Sequence, residues 1–546
     1  MTTGSRLAPR AWFVLLVPIG LLVLAAIFRL PELATRGTWD ADQGHDMLML
    51  RGLVRDGVFP LLGPPTSIGD VHHGAFYYYL LSPAAFLTGG DSPLAVTALI
   101  ALAGIAAVLL TWSLARSIGG PVAGLVAGLA MAVSTSAVDE STFIWNPNLI
   151  ALSSALALVG AWRAWTSREP RWWLLAGVGT AITMQCHVLG VTMLPIVGAL
   201  LVADARSRSS VPERRRVIGF GLASLAIVVL SFLPLAVHEL TTDFAELNAA
   251  LDYIRSGGDP AALGPVARFL VIGARVVSWP LTGLFTDAPL AGLVATGTVV
   301  AIIVVLARFG AARERQAARW LGLGLLWTAL ALTFISPSLA TVIPGLPNDH
   351  YHAFADPMVF TLVGLGAAAL WRVRPRAGRP TAEPADVAAA GAPQRSLPVG
   401  PAAVVAAFTL LIGWNLVNQP PAVHPDGGFP AAETAAARIL AATGTGTAIT
   451  LRSLPDFKST EAYAYPLVRS GASVRIDTGT GPVASSDGAV VVICDSLFEE
   501  AIGAPCGGPA EATVAPADRF GDPVDRFQAA PGRTISIYKG ALALVP

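Results

Sequence analysis

Asp40, Asp42, His45 and Asp46 stand close together directly after a long apolar run, and the same stretch goes on to His72-His73 and Phe76-Tyr77-Tyr78-Tyr79. If residues 42–55 are helical, Asp42 and Asp46 lie one turn apart on one face. Leu50, Leu53 and Val54 then form an apolar stripe, so the helix would lie in a membrane interface with its carboxylates turned towards the protein interior. Two like charges at that spacing repel, and the pair calls for a proton, a cation or a substrate. That suits a general base beside an acceptor hydroxyl; the pair could also hold a divalent metal. A solvated loop in which Asp40 only caps a helix has the same composition. The paired histidines are hydrogen-bond donors for phosphate, whereas the tyrosines also fit an aromatic belt at a membrane surface.

Three further constellations carry chemistry-bearing residues. In V-D-E-S-T-F-I-W-N-P-N-L-I (138–150), Asp139, Glu140, Trp145 and Asn146 combine acceptors, a stacking face and an amide, the mixture that carbohydrate sites use. Asn146-Pro147 also suits a plain helix start with Pro in the first turn. Asn348, Asp349, His350, Tyr351 and His352 precede a late apolar run and could complete a pocket. His187 interrupts an apolar stretch, where an ionisable group is either a packed neutral histidine or functional.

These residues need a membrane scaffold to position them. The 546-residue chain is 54% hydrophobic and 13% charged, against about 25% charged in soluble domains, and its mean hydropathy is +0.61. A formal net charge of zero gives no basic field for nucleic acid. Apolar runs near 11–30, 93–115, 120–137, 148–166, 171–188, 189–204, 217–237, 289–307, 318–336, 354–371 and 399–418 predict about eleven spans. Within 171–204, two short helices compete with one long helix and a re-entrant piece. The first run follows Arg6 and Arg10, has no small-residue cleavage site after it, and reads as an uncleaved span. Arg116, Arg163–Arg171, Arg206–Arg216, Arg308–Arg319 and Arg372–Arg395 fall on one side, which predicts a multi-pass plasma-membrane protein with its N-terminus cytoplasmic and residues 31–92 in an outer loop. Residues 372–398 read as a flexible cytoplasmic linker, and 399–418 as the last span. Residues 419–546 alternate strands with helices, with Gly444 as a helix stop, and predict a small extracytoplasmic α/β domain. Cys494 and Cys506 fall in it, where an oxidising compartment allows a disulfide contributing about 3 kcal/mol. Cys186 reads as a packing residue.

Taken in order, the motifs resemble the GT-C membrane glycosyltransferases of the branch containing protein O-mannosyltransferases (family 39) and lipid A aminoarabinose transferases. Asp42-Gln43 stands where that family has Asp-Glu; His73-Gly74-Ala75-Phe76-Tyr77-Tyr78-Tyr79-Leu80 is similar to its Lys/His-Pro-Pro-Leu-Tyr-Tyr motif. Phe59–Pro64 and Trp145-Asn146-Pro147-Asn148 look like signatures of a bacterial branch, and His350-Tyr351 like the family's His-Tyr. The resemblance covers residues 11–371, so that 1–371 would be the catalytic domain. It implies an α-helical GT-C fold and transfer, with inversion, of a sugar from a polyprenyl-phosphate donor to an extracytoplasmic glycan, lipid or protein. Asp42 would be the base, His73 would contact phosphate with Arg51 or Arg55 helping, and Asp46, Asp139, Trp145, Asn146, His350 and Tyr351 would bind substrate. It implies no organic cofactor. A divalent metal has room at the site, but Gln43 in place of Glu does not favour one.

A transporter or lipid flippase, and an envelope-assembly scaffold working through the tail, are the readings from other classes. Transport sites lie at mid-membrane between inverted repeats; the chain shows no internal repeat and few mid-span ionisable residues.

Overall fold

The computed structural model describes residues 9–66, 71–256, 263–341, 349–373, 399–456, 458–479, 481–483 and 488–539, with side chains from Leu16 onward except at 349, 350 and 399. Every apolar run read as a span folds as helix. Seven helices are long and apolar enough to cross a membrane, and the pair Val211–Ser231 and Leu233–Thr241, bent by 45°, makes an eighth. Of the other three, the Pro9–Arg29 helix has 21 residues, and Pro121–Val133 and Trp172–Cys186 are shorter, with 13 and 15. The expected eleven therefore divide into nine runs of span length, one of them the bent pair, and two shorter helices. The 171–204 stretch is two helices. His187 adopts extended backbone (φ −156°, ψ 136°) after Cys186, and a 3-10 turn, Val188–Thr192, leads into Met193–Arg206.

Arginines gather at one end of the bundle. Arg168 donates to Ser207 Oγ (2.6 Å) and Arg208 to the Arg168 carbonyl (3.0 Å), while Arg208 also pairs with buried Asp204 (2.8 Å). The opposite end carries the first loop. There, α1 (Pro9–Arg29) leads to α2 (Ala41–Arg51) and then α3 (Phe76–Thr88).

Three helices of ten or more residues in the expected outer loops escaped the sequence: Phe76–Thr88, Ala245–Arg255 and Pro265–Thr282. Pro265–Thr282 lies inside the 238–288 segment that read as loop, because Arg268, Arg275 and Pro280 interrupt its apolar run. It is amphipathic and buries one side against the bundle, where Ser134 Oγ and Ser136 Oγ donate to the carbonyls of Pro280 (2.7 Å) and Trp279 (2.9 Å).

The linker falls, from residue 374 to 398, outside the described residues. Beyond the Val399–Val417 helix, the tail is a five-stranded sheet in the order β2-β1-β3-β5-β4, built from β1 (Ile449–Leu454), β2 (Val474–Ile476), β3 (Ala489–Asp495), β4 (Asp525–Ala530) and β5 (Arg533–Tyr538). Strands β1, β2 and β3 run parallel, and β5 lies antiparallel to β3 and β4. The helix Gly428–Thr443 ends at Gly444 in the left-handed region (φ +87°), where a β-carbon would be strained. Cys494 on β3 is disulfide-bonded to Cys506, Cα–Cα 5.6 Å.

The tail sits on the first loop rather than beside it. Trp39 Nε1 donates to the Ala462 carbonyl (2.8 Å), Thr38 Oγ1 to Asp426 (2.8 Å) and Tyr465 OH to the Gly90 carbonyl (3.0 Å). The Thr460–Arg469 helix packs on α2 at Gly44, where a β-carbon would lie 2.1 Å from the Glu461 carbonyl oxygen. Backbone facing backbone cannot yield, so Gly44→Ala should lower stability by about 1–3 kcal/mol and loosen the tail. Gly52, the residue directly after α2, has open space around it and helical backbone, so Gly52→Ala should be neutral or gain about 0.5 kcal/mol. Thermal unfolding together with protease cleavage at residues 418–427 reads both outcomes.

Candidate functional site

Helix α2 begins with a reciprocal cap. The Asp40 carboxylate accepts from the Ala41 amide (2.8 Å), and Gln43 Oε1 accepts from the Asp40 amide (2.8 Å). Gln43 Nε2 then donates to the Ile144 carbonyl (2.8 Å), so a buried amide is fully used in shaping the loop. Gln43 is an amide with both ends engaged, so this position offers no carboxylate to a divalent ion beside Asp42. Among the described residues, no three His, Cys, Asp or Glu side chains are grouped to hold a metal.

Asp42 is in the first turn, two residues past the cap. Its carboxylate keeps accessible surface, while protein crowds it enough to raise the carboxyl above its ordinary range through loss of water. Together these describe a recess rather than an open face. The Lys458 ammonium opposes that rise, Asp40 adds to it, and a Trp145 side-chain hydrogen bond favours the charged form.

Asp46, one turn on, has a different environment. It is 1% exposed, and its two oxygens accept from Tyr77 OH (2.7 Å) and Tyr78 OH (3.0 Å). Burial pushes its carboxyl up to about 8, against the opposing effect of the tyrosine hydrogen bonds. The structure thus places Asp46 beneath the recess, tying α2 to α3, and not among groups free to orient a substrate. The tyrosines are fastenings between helices rather than a membrane belt.

His73 is 7% exposed, and its Nδ1 accepts from the Val188 amide (3.3 Å), which leaves the proton on Nε2. Burial, reinforced by neighbouring His72, pulls its pKa down to about 3. It therefore offers a neutral N–H, not the cation that phosphate contact at this position implied. Gly74 is required: its amide donates to the Gln185 carbonyl (3.0 Å), and a β-carbon would meet the Gln185 side chain at 2.0 Å. His72 turns away and binds Glu246 through its backbone amide (2.7 Å) and Nδ1 (2.8 Å).

A run of rings joins His73 to Asp42. His73 lies 4.5 Å from His187, His187 stacks on Tyr351 at 4.6 Å and 25°, and Tyr351 lies 5.8 Å from Trp145, which bonds Asp42. The break at His187 sets this up. It lets His187 Nδ1 accept from the Leu189 amide (3.2 Å), and Asn146 Nδ2 caps the preceding helix end at the Cys186 carbonyl (2.5 Å). Asn146 is thereby engaged in structure, while Trp145 and Tyr351 line the recess.

The remaining expected residues lie elsewhere. Asp139 is raised to about 6 by burial, offset by His424 and Arg36, and belongs to the junction of loop and tail. Arg51 and Arg55, expected to help bind phosphate, both pair with Asp91. The side chain of His350 lies outside the described residues. Lys458 went unnoticed in the sequence. Its signal was its rarity: Lys458 and Lys539 are the only lysines among 36 basic residues.

Residues 72–234 match the family model described as dolichyl-phosphate-mannose-protein mannosyltransferase. No curated protein sequence matches the chain. Among solved structures, ArnT from Cupriavidus metallidurans in the apo state is similar with TM-score 0.59 and 12% identity, over 97% of this chain and 98% of that one. The same protein bound to undecaprenyl phosphate gives TM-score 0.59 and 13% identity over the same shares. The chain has the GT-C fold. The Archaeoglobus fulgidus oligosaccharyltransferase in its apo form is a more distant match, with TM-score 0.50 and 13% identity over 95% of this chain and 73% of that one. The segment matching the family model opens at His72, so Asp42 and Lys458 both lie beyond it. In this GT-C chain, Gly74-Ala75 replaces the two prolines because Gln185 occupies the space above Gly74.

The Asp46 environment makes a testable statement about pH. A carboxyl whose folded value is about 8, against about 3.9 in an unfolded chain, makes the folded state bind more protons between these limits. Its contribution to stability therefore falls as pH rises from about 4 to about 8, and levels off above. Asp46→Asn mimics the neutral acid and should flatten this part of the melting-temperature profile measured from pH 5 to 9. An unchanged slope would assign it to other groups.

Proposed function

We propose that this protein is a membrane glycosyltransferase that moves a sugar from a polyprenyl-phosphate donor to a hydroxyl on an extracytoplasmic acceptor. The observation that carries the reading is Asp42: a carboxylate open to a recess at the end of an aromatic wall that starts at His73. The fold shared with a protein solved with undecaprenyl phosphate supports a lipid-phosphate donor. The arginines at the far end of the bundle support placing the site outside the cytoplasm, because basic loops face the cytoplasm.

In this reading, Asp42 removes the proton from the acceptor hydroxyl as its oxygen attacks the anomeric carbon. The bond from that carbon to the phosphate oxygen breaks, and its electron pair leaves with the lipid phosphate. One displacement inverts the carbon. His73 Nε2–H donates to a phosphate oxygen as charge gathers there. Trp145 and Tyr351 offer faces to the sugar, and the Trp145 N–H orients Asp42. No step requires a metal or an organic cofactor.

The test supplies purified protein with labelled polyprenyl-phosphate sugars and a mixture of envelope acceptors. Wild type should transfer the label with inversion, and Asp42→Asn should lower the rate by roughly 100-fold or more, the usual effect of removing a general base. Full activity in the variant would take the base role from Asp42. No transfer by wild type from any such donor would favour transport or scaffolding.

A further inference from the structure

We propose that the C-terminal domain completes the active site by placing the Lys458 ammonium beside Asp42, where it serves as the counter-ion of the reacting carboxylate. The role in catalysis rests on the proposed transferase reading; the placement does not.

Three observations carry it. First, the turn before the Thr460–Arg469 helix is fastened on both sides. Ser459 is 1% exposed and holds left-handed backbone (φ +64°), which a non-glycine residue adopts only when its surroundings impose it. Its Oγ donates to Asp40 (3.0 Å), and Thr460 Oγ1 donates to Ser453 Oγ on β1 (2.8 Å). The residue before Ser459 is Lys458, and two residues after Asp40 comes Asp42. A single hydrogen bond therefore ties the chain next to Lys458 to the cap two residues before Asp42. Second, the ammonium lies over the Phe498 ring of the tail at 5.5 Å, a contact that holds a half-buried cation without neutralising it.

Third, the electrostatics around Asp42 are one-sided. The groups that exchange charge interactions with it are Asp40 at the cap of its helix and Asp46 on that helix, Tyr78 on α3, Tyr351 in the late turn, and Glu461 and Lys458 from the tail. Lys458 is the one cation in that set, and after burial it acts on Asp42 more strongly than any other group. A base in a recess ringed by acids would take up a proton and stop working near neutral pH. A fixed ammonium opposes that. Lysine suits the task as a compact point charge, and the chain, which otherwise uses arginine, keeps one of its two lysines here.

Two arms test the proposal on the full-length protein. Reductive methylation with labelled formaldehyde marks the two lysines and the terminal amine for NMR, and Lys458→Arg identifies the Lys458 signal. That signal should show an inflection from ionisation of Asp42, and Asp42→Asn should abolish it. A Lys458 signal indifferent to Asp42→Asn overturns the proposal whether or not transfer is ever seen. In the second arm, the acid limb of kcat/KM is followed with a transferred sugar. Lys458→Met should move it up by roughly one pH unit, with Lys458→Arg restoring most of the shift. An unmoved limb in Lys458→Met beside an active wild type and a dead Asp42→Asn would overturn the counter-ion role while leaving the transferase reading intact.

Discussion

The carboxylate of Asp40 holds this site together. One side of it starts α2 by accepting the Ala41 amide and also takes the Ser459 hydroxyl from the tail. The other side pairs with Arg533 (3.0 Å), which also reaches Asp495 on β3 (3.2 Å). A helix cap in isolation is worth about 1 kcal/mol. Here the same carboxylate joins the membrane bundle's first loop to two strands and a turn of the soluble sheet. Asp42 is aimed by the first turn of α2, and Lys458 by the turn behind Ser459. Removing Asp40 would release both, and would leave the Arg533 guanidinium, 8% exposed, with less compensation.

Two carboxylates one turn apart receive different tasks from their surroundings. Asp46 is closed in by two tyrosine hydroxyls and burial, and works as a neutral peg between α2 and α3. Asp42 keeps solvent contact, a tryptophan donor and a nearby ammonium, conditions that favour a charged base. Separating a pair of acids by environment is how one site obtains two chemical roles. The arrangement also answers the repulsion that their spacing implied: the deeper acid gives up its charge.

Much of the frame was legible in the sequence because it is local. Length and hydropathy found every span, β-branched runs found β1, β2, β3 and β5, and Gly444 marked a helix stop. Asp40 read as a cap and is one. Strand β4 was missed because its sequence, Asp525-Arg526-Phe527-Gln528-Ala529-Ala530, alternates charged and apolar residues at a sheet edge. The site was legible in part. The Asp42 and Trp145 motifs meet, joined by His187 and Tyr351. Arg51 and Arg55, expected beside the phosphate, share the single carboxylate of Asp91, a pairing that becomes visible only when α2 and the α3 turn are in place. Lys458 was illegible for the same reason. Its neighbour Ser459 meets Asp40 across 419 residues of sequence, and no local pattern encodes that meeting.

The central claim is that the reacting sugar lies between Asp42 and His73, along the Trp145–Tyr351 wall, beneath the tail. A cryo-EM structure of the intact protein with a non-transferable phosphonate analogue of a polyprenyl-phosphate sugar tests this most directly. The account predicts a phosphonate oxygen within hydrogen-bond reach of His73 Nε2 and the sugar ring against Trp145 or Tyr351, with the Asp42 carboxylate on the face of the anomeric carbon opposite the phosphonate. A ligand seated at the arginine-rich end, or one whose sugar makes no approach to Asp42, would contradict it.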